Sequence, residues 1–323
     1  MVGEATAEGV VNVNEVPIGI CQLESRIGTE DYDPRPDNLA HALDAIATAD
    51  DQGAKIMVFG EIMLNGYESG PYTPKYAVAE SEHDPFVAPL VREARERDVY
   101  IIMGATTHKG AFPGDCYNSA LVIGPEGLLG VYSKTHVAAF IVDGGAKLAA
   151  EKVWWSPGNE LPVFDTRYGR IGIEICYDNW FPEVARTLTL KGAELIINVS
   201  AAVCGFEDGW GRFLATRSLE NCVPFLHVSV VGKQKDFELF GGSRLFSPTG
   251  DLVFEAPRGE EAVLTTTLDR SLIFAARGAY HPFYNRNPAL YEEVTKVQGP
   301  PQTGDLRGRA LLENPVPSLA PLT

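Results

Sequence analysis

Short apolar runs alternate along the chain with stretches in which apolar residues recur every three or four positions. Residues 16–23 (VPIGICQL) are apolar almost without interruption, as expected of a strand buried on both faces. In residues 37–53 (DNLAHALDAIATADDQG) the apolar positions keep helical spacing, and Gly53 is a suitable stop. The pattern then predicts a strand over 54–61 (AKIMVFGE), a helix over 85–98 and a strand over 99–107 (VYIIMGATT). Residues 117–134 and 161–178 read as strand–turn–strand units around Pro125-Glu126-Gly127 and Arg167-Tyr168-Gly169. A strand in 192–202, a helix over 211–222, a strand over 223–232 and two late strands, 242–248 and 262–269, complete the pattern. The first fifteen residues read as a loose lead, and from about Tyr280 the chain is irregular.

Two segments echo each other: GAKIMVFGE (53–61) and GAELIINVS (192–200) each follow a predicted helix and open on Gly-Ala. Two similar halves packed together are implied, with helices covering sheets whose strands are apolar throughout. The expectation is an α/β fold in one domain spanning residues 1–323, with no internal linker.

Composition narrows the function. The 323 residues carry 27 Lys and Arg against 43 Asp and Glu, a formal charge of −16, and no basic stripe. Such a surface repels nucleic acid and anionic lipid. No apolar stretch approaches the roughly 18 residues of a membrane span, and the acidic N-terminal lead is unlike a secretory signal. A cytoplasmic enzyme acting on a small molecule is the expectation. The five cysteines (Cys21, Cys116, Cys176, Cys204, Cys222) are odd in number and lack a CxxC pair, and the six histidines lack ligand spacing. Neither a disulfide framework nor a metal site is indicated, and four of the cysteines read as packing residues.

Chemistry gathers at the ends of predicted strands. Glu61 closes 54–61, Lys134 closes the unit 117–134, and Cys176 closes an apolar run. In α/β sheets ligands collect beyond the carboxyl ends of strands. A carboxylate, an ammonium and a thiol brought to one rim would form a catalytic group. Glu61 would take the thiol proton, and Lys134 would stabilise the thiolate and then an oxyanion. The helix after Cys176, with Pro182 in its first turn, would add its dipole, and the Tyr177 N–H would be a second oxyanion donor. His136 reads as structural or pocket-lining. Asp178 and Glu183 read as caps of the following helix, Arg217 and Glu220 as a helix pair, and Glu174 as a side chain on the same side of its strand as Cys176.

The segments FGEIMLNGY (59–67), YSKTHV (132–137) and EICYDNWFPE (174–183) resemble, in order, the three signatures of the nitrilase superfamily of carbon–nitrogen hydrolases. RSLENCVPFLHVSVVG (217–232) and YNRNPALY (284–291) resemble further parts of that family, so the resemblance spans nearly the whole chain. It implies a four-layer α-β-β-α sandwich, a homodimer or larger homo-oligomer, and no cofactor. It implies Glu61 as general base, Lys134 as oxyanion stabiliser and Cys176 as nucleophile, with Glu151 in AAEKVWWSPG as the second glutamate and 135–150 as a pocket loop. Tyr177-Asp178 after the nucleophile, where nitrilases have Trp-Glu, resembles amidases and carbamoyl-cleaving members. Hydrolysis of a linear amide-type bond through a thioester is therefore implied; N-carbamoyl, hydrazide or nitrile substrates are the alternatives, and a binding module that kept the fold is the non-enzymatic one. The half-synthetase alternative finds no GxxxxGK loop in the chain. Tyr67, Trp154 or Trp155, Trp180 and Phe140 are candidates for an aromatic pocket wall, with Ser200 and Ala201 ending a strand beside it.

Overall fold

The computed structural model describes residues 14–110, 115–142 and 147–296. Most of the N-terminal lead, and the tail beyond residue 296, lie outside the described residues, as does the Phe140 side chain. The first sheet contains β1 (Glu15–Gln22), β2 (Ile56–Phe59), β3 (Val78–Ala79), β4 (Tyr100–His108), β5 (Cys116–Gly124) and β6 (Gly127–Ser133). A small hairpin follows, β7 (Ala139–Val142) with β8 (Lys147–Ala150). The second sheet contains β9 (Val163–Thr166), β10 (Gly169–Ile175), β11 (Leu195–Ser200) and β12 (Phe225–Ser229). After a second hairpin, β13 (Val231–Gln234) with β14 (Phe237–Phe240), it adds β15 (Arg244–Phe246) and β16 (Leu252–Glu255). The last strand, β17 (Ala262–Asp269), returns to the first sheet beside β1.

The strand orders are β17-β1-β2-β4-β5-β6, with β3 paired to β4, and β9-β10-β11-β12-β15-β16. Read from β17 and from β9, both paths run antiparallel, parallel, parallel, antiparallel, antiparallel. The two halves are therefore the same topology twice. The Gly-Ala echo lies at equivalent places: Gly53 and Gly192 take left-handed φ of 83° and 96° just before β2 and β11.

Four helices cover the sheets. In α1 (Arg35–Asp51) a proline in the first turn sets φ, and Leu39, Ala42, Ile46 and Ala49 put one stripe inward. With Leu90, Val91 and Ala94 of α2 (Ala88–Arg97) they pack on Met57, Phe59, Ile101 and Met103. On the far side, α3 (Pro182–Leu190) and α4 (Glu207–Asn221) place Val184, Leu188, Trp210 and Leu214 against Ile196 and Phe225. Between the sheets Ile18, Ile20, Ile56 and Val58 meet Ile171, Ile173, Ile197, Val199 and Val228. The layers are α-β-β-α, as expected.

Some elements differ from expectation. The run 223–232 is two strands, because Val230 donates its N–H to Ser200 O and the chain leaves the sheet there. Helix α4 begins at Glu207, ahead of the predicted start. Helix α5 (Ser271–Tyr280), strand β16 and both hairpins carried no clear periodic signal. Among the described residues past Tyr280, one short helix, α6 (Glu292–Thr295), and a single 3-10 turn interrupt the irregular course.

Candidate active site

Three strand ends deliver the predicted trio. Glu61 stands two residues past β2, Lys134 one past β6, and Cys176 immediately past β10. Glu61 and Lys134 are fully buried, Glu151 is 3% exposed, and Cys176 is half-buried. Lys134 Nζ lies 2.8 Å from Glu61 Oε1 and 2.8 Å from Glu151 Oε1, so one ammonium bridges two carboxylates. Glu61 also accepts from Asn118 Nδ2 at 2.7 Å and from the Ala201 N–H at 2.8 Å. Glu151, at the start of the turn after β8, accepts from Tyr67 Oη at 2.5 Å and from the Ala138 N–H at 2.7 Å.

The backbone is shaped for close approach. Ile62 and Cys176 have φ of 51° and 45°, a left-handed conformation that costs a non-glycine residue about 1–3 kcal/mol. A Cβ on Gly104 would stand 2.1 Å from Gly60 O, so only glycine there lets β4 pass beneath the Glu61 turn.

Electrostatics follow from burial. Desolvation raises the Glu61 pKa, partly offset by Lys134 and reinforced by Glu151. A carboxylate held above its usual range is a better base than an exposed one. Burial works against the Lys134 charge, but Glu151 and Glu61 outweigh it and hold the ammonium protonated. Burial pushes the Cys176 thiol far up, and Glu61 and Glu151 push it further against the opposing pull of Lys134. With Lys134 paired to two carboxylates, the thiol needs a base to give up its proton, the part expected of Glu61.

The helix dipole expected at Cys176 is also displaced. Residues Cys176–Trp180 form a 3-10 turn, and α3 begins only at Pro182, which is its first residue as expected. The capping role expected of Asp178 is corrected: α3 has Phe181 at its N-cap and no side-chain cap, and Asp178 bonds the start of the 3-10 turn instead. Its Oδ2 accepts from the Ile175 N–H at 2.9 Å and from Tyr132 Oη at 2.7 Å, while its Oδ1 accepts from the His136 N–H at 3.0 Å and lies 2.9 Å from His136 Nδ1. It ties the nucleophile's turn to the segment carrying Lys134, a role for which the sequence held no signal. His136 stacks on Phe181 with centroids 3.8 Å apart, a structural placement. Arg217 pairs with Glu220 at 3.2 Å as expected and also donates Nε to Asn179 O at 3.1 Å, anchoring the same turn to α4.

The aromatic residues divide. Tyr67 and Trp155 stack 5.8 Å apart beside Glu151, and Trp155 Nε1 donates to Thr106 Oγ1 at 3.1 Å. Trp154 packs at the edge of the same cluster. Trp180 sits elsewhere, 41% exposed, against Phe206, Phe213 and Tyr177. Ser200 is buried with its hydroxyl unpartnered, and the Ala201 N–H is taken by Glu61. The strand neighbours of Glu174, Ile173 and Ile175, face the core between the sheets, so its side chain turns to the helices. All five cysteines are unpaired thiols, and Cys204 is exposed. Among the described residues no cluster of three His, Cys, Asp or Glu side chains could hold a metal ion, and no helix is long and apolar enough to cross a membrane.

A family model described as carbon-nitrogen hydrolase matches residues 18–277. The chain is 30% identical to a probable nitrilase of Schizosaccharomyces pombe, over 74% of this chain and 85% of that one. It is 32% identical to an (R)-stereoselective amidase of a Pseudomonas species (86% and 94%) and 29% identical to an N-carbamoylputrescine amidase of Arabidopsis thaliana (81% and 91%). Among solved structures, Saccharomyces cerevisiae Nit3, a nitrilase-superfamily member, superposes with a TM-score of 0.72 at 25% identity, covering 84% of this chain and 97% of that one. An amidase variant from Nesterenkonia sp. AN1 bound to acrylamide superposes at 0.73 and 21% identity, covering 90% and 100%. The chain belongs to the carbon–nitrogen hydrolase family. It is a hydrolase acting on carbon–nitrogen bonds other than peptide bonds.

Proposed function

We propose that the protein hydrolyses a linear amide-type C–N bond through a thioester on Cys176. The observation that carries this reading is one buried ammonium held between two buried glutamates, next to a cysteine in left-handed backbone at a strand end. Cys176 Sγ attacks the carbonyl carbon while Glu61 takes the thiol proton, so the thiolate forms only as the new C–S bond forms. Lys134 and the Tyr177 N–H stabilise the oxyanion. As the C–N bond breaks, Glu61 passes its proton to the departing nitrogen, and amine or ammonia leaves. Water, deprotonated by Glu61, then attacks the thioester carbonyl; the C–S bond breaks, the acid departs and the proton returns to sulfur. Glu151 holds Lys134 in place, with Tyr67 holding Glu151. Tyr67 and Trp155 form the aromatic wall of the substrate pocket. Relatives carry both nitrilase and amidase names, and Tyr177-Asp178 after the nucleophile, where nitrilases have Trp-Glu, favours an amide-type bond over a nitrile.

The test is intact-mass analysis after mixing the protein with a panel of amides, carbamoyl compounds and hydrazides. The expected result is an acyl adduct that maps to Cys176, whose mass identifies the acyl group, together with turnover that Cys176→Ala abolishes. Undiminished turnover by Cys176→Ala would end this reading.

A further inference from the structure

Behind the nucleophile, on the side of the second sheet turned to α3 and α4, a polar row crosses three strands. Glu174 of β10 is register partner to Asn198 of β11, which is register partner to His227 of β12. All three are fully buried. Their neighbours Ile173, Ile175, Ile197, Val199, Leu226 and Val228 point the opposite way, into the core between the sheets. Burying polar side chains on a face that apolar ones would fill is unfavourable unless they are hydrogen-bonded.

Asn198 makes the contact that matters. Its Nδ2 donates to the Cys176 carbonyl oxygen at 3.3 Å, and its Oδ1 lies 3.0 Å from His227 Nδ1. Burial first, then the Arg244 charge, lowers the His227 pKa to about 3, so the ring is neutral and carries one proton. Trp210 Nε1, which only donates, also points its N–H at that Nδ1, at 3.2 Å. Nδ1 can serve one of these two neighbours. With Nδ1 bare it accepts from Trp210 and the Asn198 amide turns over; with the proton on Nδ1 the ring donates to Asn198 Oδ1, the Trp210 N–H loses its acceptor, and His227 Nε2, buried without a partner, is a bare lone pair. The contact of Asn198 Nδ2 with the Cys176 carbonyl belongs to the second arrangement, in which His227 fixes which way the amide faces.

The peptide joining Cys176 and Tyr177 is planar and trans, so its C=O and N–H point in opposite directions. Holding the carbonyl toward Asn198, on the helix side, turns the Tyr177 N–H the other way within that plane, away from the helices. We propose that Asn198, oriented by His227, is a positioning residue that sets the Cys176–Tyr177 peptide plane and so aims the Tyr177 N–H at the oxyanion. The proposal rests on Cys176 being the nucleophile.

Two reagents separate the roles. Acylation of Cys176 by p-nitrophenyl acetate passes through a tetrahedral oxyanion; alkylation by iodoacetamide does not. Both are followed by mass, with Cys176→Ala as background. In Asn198→Leu the acylation rate should fall about 10- to 100-fold, less than the roughly 100- to 1000-fold of an oxyanion donor removed outright, because the Tyr177 N–H is misaimed rather than lost, while alkylation stays within about twofold. Parallel loss of both rates, or unchanged acylation, overturns the inference and leaves the nucleophile assignment standing; failure of native Cys176 to acylate counts against that assignment itself. Should Asn198→Leu not fold, His227→Leu should slow acylation selectively and His227→Gln, which keeps an N–H donor, should restore it. Equal behaviour of those two variants also overturns the inference.

Discussion

Glu151 Oε1 receives hydrogen bonds from both Lys134 and Tyr67, so the phenol helps decide where the ammonium stands. Tyr67→Phe keeps the ring stacked on Trp155 and removes only that donor. A hydrogen bond to a charged group contributes about 1.5–3 kcal/mol to stability, so the thermal midpoint should drop by a few degrees, and, with Lys134 no longer held in place, kcat/KM should fall about 10- to 100-fold; native kcat/KM in steady-state assays would refute the role. The sequence suggested Tyr67 for its aromatic ring, whereas the structure gives its hydroxyl a separate task. Glu61, Lys134 and Cys176 were legible because charged or nucleophilic residues closing apolar strands stand out against their surroundings. Asn118 and Asp178 were not: a polar residue one position into a strand, or one in a short turn after it, looks the same whether it faces solvent or a buried carboxylate.

At the level of elements, the two halves were readable because strands buried on both faces announce themselves and because Gly53 and Gly192 close their helices alike. The hairpin β13–β14 was not, since its sequence VGKQ and FELF mixes polar and apolar residues and its place is fixed by distant partners: Gln234 Oε1 accepts from the Tyr67 N–H at 2.8 Å. The Pro-Gly turn after Trp155 gives an element-scale prediction. Gly158 donates its N–H to Lys134 O at 2.8 Å, and a Cβ there would stand 2.1 Å from Ser133 O. Since the obstacle is backbone, Gly158→Ala must push the turn away from the end of β6, at a cost of about 1–3 kcal/mol. Calorimetry should show a midpoint lowered by several degrees and assays a loss of turnover, because Lys134 is the residue displaced. An unchanged midpoint would show that the turn has room to give.

For the molecule as a whole, pH acts on stability through groups whose protonation differs between the folded and unfolded chain, and Glu174 is the clearest of them. Its carboxyl is fully buried, with neither oxygen hydrogen-bonded. Burial raises its pKa well above the ordinary value, Asp178 and Glu220 add to the rise, and Arg217 and the neighbouring Asn198 amide oppose it. The folded chain thus keeps this proton where the unfolded chain, with a pKa of about 4.3, has released it. Below that value both states are protonated and Glu174 contributes nothing to the pH dependence. Above it the unfolded state binds fewer protons, so stability falls as pH rises, until the folded-state carboxyl itself ionises. Gln has the shape of the protonated acid and does not titrate. The midpoint of Glu174→Gln minus that of the native protein should therefore grow as pH is raised from about 5 to about 8. Every other titrating group is common to both proteins and cancels in the difference. A constant difference across that range would mean that Glu174 ionises alike in both states, and that the face beneath the nucleophile admits water.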